Sequence, residues 1–202
     1  MSHLRIVPPP HAASANADQP CLDAFQRELD YLWRTLRRLG VPASELEDVA
    51  QDVFLALRHS WPEYDPSRPL RPYLFGIAFR IAAAQHRKRR KEVALGLLEV
   101  LDSSPDPEDA LEGKRARALV LAALERIPLP RRAVLMMHDL DDVAMVDVAS
   151  VLSIPRFTAY SRLRKARKEL EAAVKRLRRG QGQEQSHEQE QGRAHPREED
   201  RQ

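Results

Sequence analysis

Apolar residues recur at helical spacing along most of this 202-residue chain, and this period limits the possible folds more than any other feature. The clearest set falls at steps of 4, 3, 4 and 3: Phe25, Leu29, Leu32, Leu36 and Leu39. Such steps place the side chains on one face of an amphipathic helix, and Gly40 and Pro42 are typical of its end. No stretch alternates β-branched and polar residues as a half-buried strand does. The sequence therefore predicts an all-α fold.

Further helices follow the same period. Ser44 and Glu47 have the spacing of a capping box, which predicts that the second helix begins there. Pro72 suits the first position of a third helix, which leads into a basic run at residues 86–91. Later helices are predicted over about 108–126 and around 134–137. Two more, over about 144–152 and 156–178, are separated by a three-residue turn.

Composition divides the chain into two small helical domains. Residues 1–20 are rich in Pro, Ala and Ser, and residues 180–202 in Gln and Glu. Neither end has the apolar period needed to bury enough surface, so both are predicted to be disordered. Asp, Ser and Pro between 102 and 107 are typical of a linker. We therefore predict domains at 21–95 and 108–179, joined by a flexible linker at 96–107.

Charge and cysteine usage exclude several classes of protein. The net charge is +3, but the tail from 181 to 202 holds six acids against three arginines, so the rest of the chain is more basic than the total suggests. The single cysteine, Cys21, has no partner for an internal disulfide, and no Cys/His spacing suits zinc. No signal peptide or long apolar run is present. We expect a cytoplasmic protein without metal or cofactor.

A helix-turn-helix pattern lies near the end of the chain. Residues 153–155 separate the two predicted helices, and the second carries ten Lys or Arg against two acids between 156 and 179. Its outer side offers Arg156, Thr158, Tyr160, Ser161, Arg164 and Lys165, side chains that form hydrogen bonds with base edges and phosphates. A solvated charged helix is the other interpretation. We favour duplex DNA, since unrelieved positive charge repels itself.

Two weaker patterns lie in the first domain. The third helix mixes aromatic and basic residues, a composition that captures single-stranded nucleic acid but that also describes an ordinary buried helix face. Glu45, Asp48 and Asp52 form an acidic stripe on the second helix. That stripe suits either a basic protein partner or a solvated face. No nucleophile elbow, phosphate-binding glycine loop or carboxylate pair supports catalysis, so we predict no enzymatic activity.

Taken in order, these motifs resemble the extracytoplasmic-function group of bacterial RNA polymerase sigma factors, which have two helical domains, regions 2 and 4. The resemblance covers about 23–91 and 108–178. Residues 47–55 look like the segment that binds the clamp helices of the largest polymerase subunit. Residues 71–78, with the basic run after them, look like the segment that melts and reads the minus-10 element.

The end of the chain is similar to the minus-35 reader of this family, over residues 127–135 and 148–167. The resemblance implies a factor that binds core RNA polymerase and promoter DNA, has no small-molecule substrate, and is restrained by an anti-sigma factor. It also implies that a loop at 61–71 holds a flipped base of the non-template strand, at a cost of a few kcal/mol for unstacking.

The resemblance implies three sets of contact residues. Core polymerase would contact Glu47, Asp48, Gln51, Asp52 and Phe54. The minus-10 strand would contact Tyr73, Phe75, Phe79, Arg80, Arg87 and Lys88. The minus-35 duplex would contact Arg156, Thr158, Tyr160, Ser161, Arg162, Arg164 and Lys165.

Several positions depart from the family pattern. Phe79, Arg80 and Ala84 replace a basic residue, an Asn and an Asp. Since Arg80 accepts no hydrogen bond, no minus-10 base preference carries over. The minus-35 sequence is not carried over either, because Tyr160 stands where a base-reading cation is common.

Three more departures concern the helix-turn-helix backbone. Asp142 and Ser153 replace glycines, and Ala144 replaces a capping Ser. A lost cap costs about 1 kcal/mol, and a missing glycine costs more only where φ is positive.

Two other functions remain open from the sequence. A stand-alone helix-turn-helix regulator would use the first domain for dimerisation or sensing. A helical adaptor would use the second domain to bind an inhibitory protein and no DNA. The inducing signal, the regulon and the target promoters do not follow from the sequence.

Overall fold

A computed structural model describes the backbone of residues 10–94 and 112–193, and the side chains of residues 19–94 and 116–180. Eight α-helices occupy these ranges: α1 (Pro10–Arg27), α2 (Leu29–Leu39), α3 (Leu46–Ser60), α4 (Leu70–Ala94), α5 (Glu112–Glu125), α6 (Leu129–Leu135), α7 (Met145–Val151) and α8 (Arg156–Arg193). Short 3₁₀ turns precede and follow α3, and a π-helical turn, Met136–Leu140, follows α6. The all-α prediction is confirmed.

The first helices differ in detail from the sequence prediction. One helix was expected through Phe25 and Leu39, but the chain breaks at Glu28, between α1 and α2. The predicted capping box at Ser44 is wrong: a 3₁₀ turn, Ala43–Glu45, fills this position, and α3 starts without a side-chain cap. Pro72 is the third residue of α4 rather than the first. That position is still permitted, because the first four amides of a helix have no intrahelical acceptor.

The helices also extend into stretches that were expected to be disordered. α1 begins at Pro10, and α8 continues to Arg193. Alanines in the first stretch, and Gln, Glu and Arg in the second, are good helix formers even without an apolar period. The linker predicted at 96–107 lies outside the described residues. Within those residues, no helix has the length and apolar run needed to cross a membrane.

The first block (α1–α4) and the second block (α5–α8) share one continuous core. Leu32, Leu36 and Leu39 of α2 are fully buried in the same cluster as Leu124 and Ile127 of the second block. Contacts cross between the blocks from α2 to α5 and α6, and from α4 to α7. The sequence predicted two separate domains, and the structure packs the two described blocks against each other.

Arg132 of α6 ties the two blocks together from a buried position, at 4% exposure. Its guanidinium donates to the carbonyls of Glu125 at 2.7 Å and Ile127 at 3.1 Å, and across the junction to the carbonyl of Arg38 at 3.2 Å. Burial lowers the pKa of Arg132 to about 10, so the side chain stays charged at neutral pH. A buried charge persists only where hydrogen bonds compensate its lost hydration.

Gly40 ends α2 at this junction, with φ +86° and its amide bonded to the carbonyls of α2. A left-handed residue at a helix end is usually glycine. A Cβ here would also lie 2.8 Å from Nη1 of Arg132. Gly40 is therefore needed both for the helix end and for the approach of α6.

Candidate nucleic-acid interface

Helices α7 and α8 form the predicted helix-turn-helix. Ala149 of α7 and Ala159 of α8 are buried where the helices approach, and Leu163 continues the contact. In the turn, the amide of Ile154 donates to the carbonyl of Ala149 at 2.9 Å. The prediction of helices near 144–152 and from 156 is confirmed, although the turn between them, 152–155, has four residues rather than three.

The outward side of α8 follows from its buried side. Ala159, Leu163 and Ala166 face the core, and at 100° per residue the opposite direction is occupied by a second set. This outward ridge comprises Phe157, Ser161, Arg164 and Lys168.

Of the expected minus-35 residues, Ser161 and Arg164 lie on the outward ridge, and Thr158, Tyr160 and Lys165 lie beside it. The other two, Arg156 and Arg162, lie further round the helix toward the core side. Arg156, Tyr160, Arg164 and Lys165 are exposed, whereas Thr158, Ser161 and Arg162 are half-buried. Their contacts with DNA remain a prediction.

Phe157 belongs to this face but was missed from the sequence. It is 84% exposed, and Tyr160 one turn later is 59% exposed. The available signal was an aromatic residue in the first turn of an otherwise polar, basic helix, and the sequence analysis did not consider it.

Two arginines of the second block form ion pairs between α8 and the elements that precede it. Arg167 donates to both carboxylate oxygens of Asp139, at 2.8 and 2.7 Å. This contact lowers the pKa of Asp139 and raises the pKa of Arg167. Arg131 forms an ion pair with Glu169 at 2.8 Å. These pairs fix α8 against α6 and the turn that follows it.

Aromatic residues of the first block meet beside the start of α4. The Trp61 and Tyr64 rings stack with centroids 5.1 Å apart, and Tyr73 lies 5.2 Å from Tyr64. The loop expected to hold a flipped base therefore joins the α4 aromatics through direct ring contacts. Trp61 and Tyr64 were absent from the expected set, although both belong to that loop.

The remaining minus-10 residues divide by exposure. Arg80, Arg87 and Lys88 are exposed along α4, and Phe79 is half-buried. Phe75 is fully buried in the core, so its expected role in base stacking is wrong for this structure. Phe75 lies on the inner face of α4, so its aromatic side chain serves core packing there.

A cleft of about 1220 Å³ separates the aromatic cluster from the second block. Its lining includes Arg34, Arg38 and Arg71 of the first block, and residues 140–144, 146 and 147 of the second block. The Tyr31 hydroxyl donates to Asp141 across this junction at 2.6 Å. Burial raises the pKa of Asp141, although the three arginines and the Tyr31 hydrogen bond act in the opposite direction.

The acidic face of α3 is open to solvent. Glu47, Asp48, Gln51 and Asp52 are exposed side by side, and no hydrogen bond or ion pair engages them within the described residues. Phe54 is half-buried, 5.0 Å from the Phe25 ring.

Two further residues refine this face. Leu55, 46% exposed, adds an apolar edge; it lies in the segment 47–55 but was not among the expected contact residues. Glu45 is paired with Arg89 of α4 and so does not belong to the free acidic stripe.

Comparison with known proteins identifies both blocks. The sigma-70 region 2 model matches residues 24–92, and a sigma-70 region 4 model matches residues 117–170. The ECF RNA polymerase sigma factor SigL of Mycobacterium tuberculosis is 30% identical over 151 residues, covering 72% of this chain and 84% of SigL. The chain belongs to the ECF sigma factor family. The RNA polymerase sigma factor CnrH of Cupriavidus metallidurans is 28% identical over 153 residues, 71% of this sigma factor and 80% of CnrH.

Solved structures agree on the fold. The sigma factor RpoE of Bartonella quintana, in complex with the anti-sigma factor NepR, matches with a TM-score of 0.58 at 22% identity, over 75% of this sigma factor and 97% of that chain. CnrH in complex with the cytosolic domain of CnrY matches with a TM-score of 0.55 at 24% identity, over 81% and 94%. Both structural similarities support the helical fold of this chain.

Two residues of region 4 that are not glycine have positive φ angles. Asp142 and Ser153 both have φ +52°, and these are the two positions where glycine was expected. Ala144 caps α7 without a side-chain hydrogen bond. Residues other than glycine therefore occupy both left-handed positions in region 4 of this sigma factor.

Proposed function

We propose that this sigma factor directs core RNA polymerase to promoters and initiates transcription in the cytoplasm, without catalysing a reaction itself. Region 2 reads and melts the minus-10 element, and region 4 binds the minus-35 element. The observation that carries this proposal is the presence of both regions in one chain, each with an exposed face of suitable chemistry.

Three exposed faces are each suited to a different binding partner. The acidic α3 face around Asp48 and Asp52 suits a basic surface on the polymerase. The Trp61–Tyr64–Tyr73 cluster, with the exposed cations of α4, suits unpaired bases and their phosphates. The basic outward ridge of α8 suits the major groove of duplex DNA.

Binding both promoter elements at once requires regions 2 and 4 to separate. The elements lie roughly 25 base pairs apart, about 85 Å at 3.4 Å per step. In the packed arrangement a Cβ on Gly76 of α4 would lie only 2.9 Å from Cγ1 of Val151 in α7. The packed arrangement is therefore a state of the free factor, and promoter binding uses an opened one.

An anti-sigma protein is the partner expected to oppose this opening. The support is that both structural neighbours were solved in complex with one, NepR and the cytosolic domain of CnrY. A protein that binds the packed arrangement more tightly than the open one would shift the population away from promoter binding.

Run-off transcription with purified core polymerase tests the proposal. Addition of the factor should give promoter-dependent transcripts that core alone does not make. Binding of duplex DNA as an isolated dimer, without any transcript, would instead support a stand-alone regulator. Binding of neither DNA nor core would support an adaptor.

A further inference from the structure

Phe157 is the most exposed large apolar side chain among the described residues, at 84%. It is the second residue of α8, directly after the turn of the helix-turn-helix. No aromatic contact or apolar neighbour covers its ring within those residues. Exposure of a whole phenyl ring forgoes the free energy that burial would supply, so a bound partner that covers Phe157 gains that contribution.

Helix geometry places Phe157 at the leading end of the outward ridge. Ser161, Arg164 and Lys168 follow it at steps of 4, 3 and 4, so the ridge runs about 16 Å along the helix at 1.5 Å per residue. In helix-turn-helix proteins, the N-terminal residues of the second helix contact base edges. Arg164 and Lys168, further along, supply cations for the phosphates. The charge of the ridge therefore favours DNA as the occupant of this face.

The chemistry of the major groove restricts what Phe157 contacts there. A phenyl ring neither donates nor accepts a conventional hydrogen bond, so it cannot pair with the donors and acceptors on base edges. The major groove presents one apolar group, the C5-methyl of thymine.

We propose that Phe157 is a specificity-determining residue of region 4 that reads a thymine methyl group in the minus-35 element. Tyr160, one turn later and 59% exposed, lies beside it and extends the apolar contact. The proposal rests on the proposed function and specifies what α8 recognises.

Selection from random duplexes gives the substrate for the test. The full chain with core polymerase selects its minus-35 sequence, and each thymine in that sequence is then replaced by uracil, which lacks only the methyl group. Wild-type holoenzyme should lose about fourfold in affinity at one thymine, the change expected for one buried methyl-sized group. Phe157→Ala should bind more weakly than wild type and show no further loss with uracil, and Phe157→Leu should keep part of the discrimination.

Val120→Ala is the matched control, because Val120 of α5 is also exposed, at 44%, but lies outside the ridge. It should respond to uracil as wild type does. An equal response to uracil in wild type and Phe157→Ala, or no response in wild type, overturns the assignment of Phe157. Unchanged DNA affinity in Phe157→Ala also overturns it and indicates a protein partner for this face. If the holoenzyme selects no sequence at all, the proposed function itself fails, and the assignment fails with it.

Discussion

Ser153 occupies a left-handed position in the helix-turn-helix, and its replacement by glycine should stabilise the protein. Its φ of +52° lies where an L-residue costs roughly 1–2 kcal/mol because Cβ approaches the backbone. Glycine removes that cost but loses about 0.5–1 kcal/mol more backbone entropy on folding. The balance predicts that Ser153→Gly raises the free energy of unfolding by about 0.5–1 kcal/mol.

Urea unfolding followed by circular dichroism measures this change, with Ser161→Gly as the matched control. Ser161 lies inside α8, where glycine is less favourable than serine by about 0.5 kcal/mol, so this variant should be less stable than wild type. The same chemical change therefore gives opposite signs at two positions of one motif. For a protein of this size, 1 kcal/mol corresponds to about 2–4 °C in Tm. A destabilised Ser153→Gly would refute the strain at this turn.

Three further predictions concern charge and packing. Burial raises the pKa of Asp141, so the free energy of unfolding of wild type should fall relative to that of Asp141→Asn as pH rises through that pKa. The pKa of Asp139 is lowered, so wild type should instead lose stability relative to Asp139→Asn as pH falls into the acid range. If urea unfolding gives the same pH dependence for both comparisons, this interpretation is excluded. Asp52→Lys should reduce co-purification with core polymerase by more than tenfold, since like charges at an interface cost several kcal/mol, while the circular dichroism spectrum is retained. If wild type and Asp52→Lys retain equal amounts of core polymerase, Asp52 does not belong to that contact. Gly76→Ala should push α4 away from α7 and raise the radius of gyration of the free factor, as measured by X-ray scattering. The double variant with Val151→Ala should restore the compact value, whereas an unchanged radius of gyration in Gly76→Ala would show that this contact does not hold the regions together.

Local pattern was enough to predict the helix-turn-helix and the exposed α3 face. The bounds of α7 and the start of α8 follow from a short turn between two apolar stripes, a signal contained within about 20 residues. The acidic residues of α3 are exposed because apolar residues of the same helix define its buried side. Each of these features depends on neighbours in the chain.

Contacts between distant segments could not be predicted in this way. Tyr31 and Asp141 are 110 residues apart, and nothing in either segment indicates that a hydroxyl in region 2 meets a carboxylate in region 4. The burial of Phe75 has the same origin, since an aromatic residue on α4 suits a base or a core equally well until the packing is known. Ser44 failed as a cap because a 3₁₀ turn replaced the first turn of the predicted helix.

Transcription from a selected promoter with purified core polymerase tests the central claim most directly. A duplex that carries both selected elements should give a run-off transcript only when the factor is added, and the transcript should be lost when either element is scrambled. Loss of the transcript from each of the two singly scrambled duplexes would show that regions 2 and 4 act on one promoter together. A transcript that is insensitive to one of the elements, or no transcript despite tight binding to duplex DNA, would contradict the account.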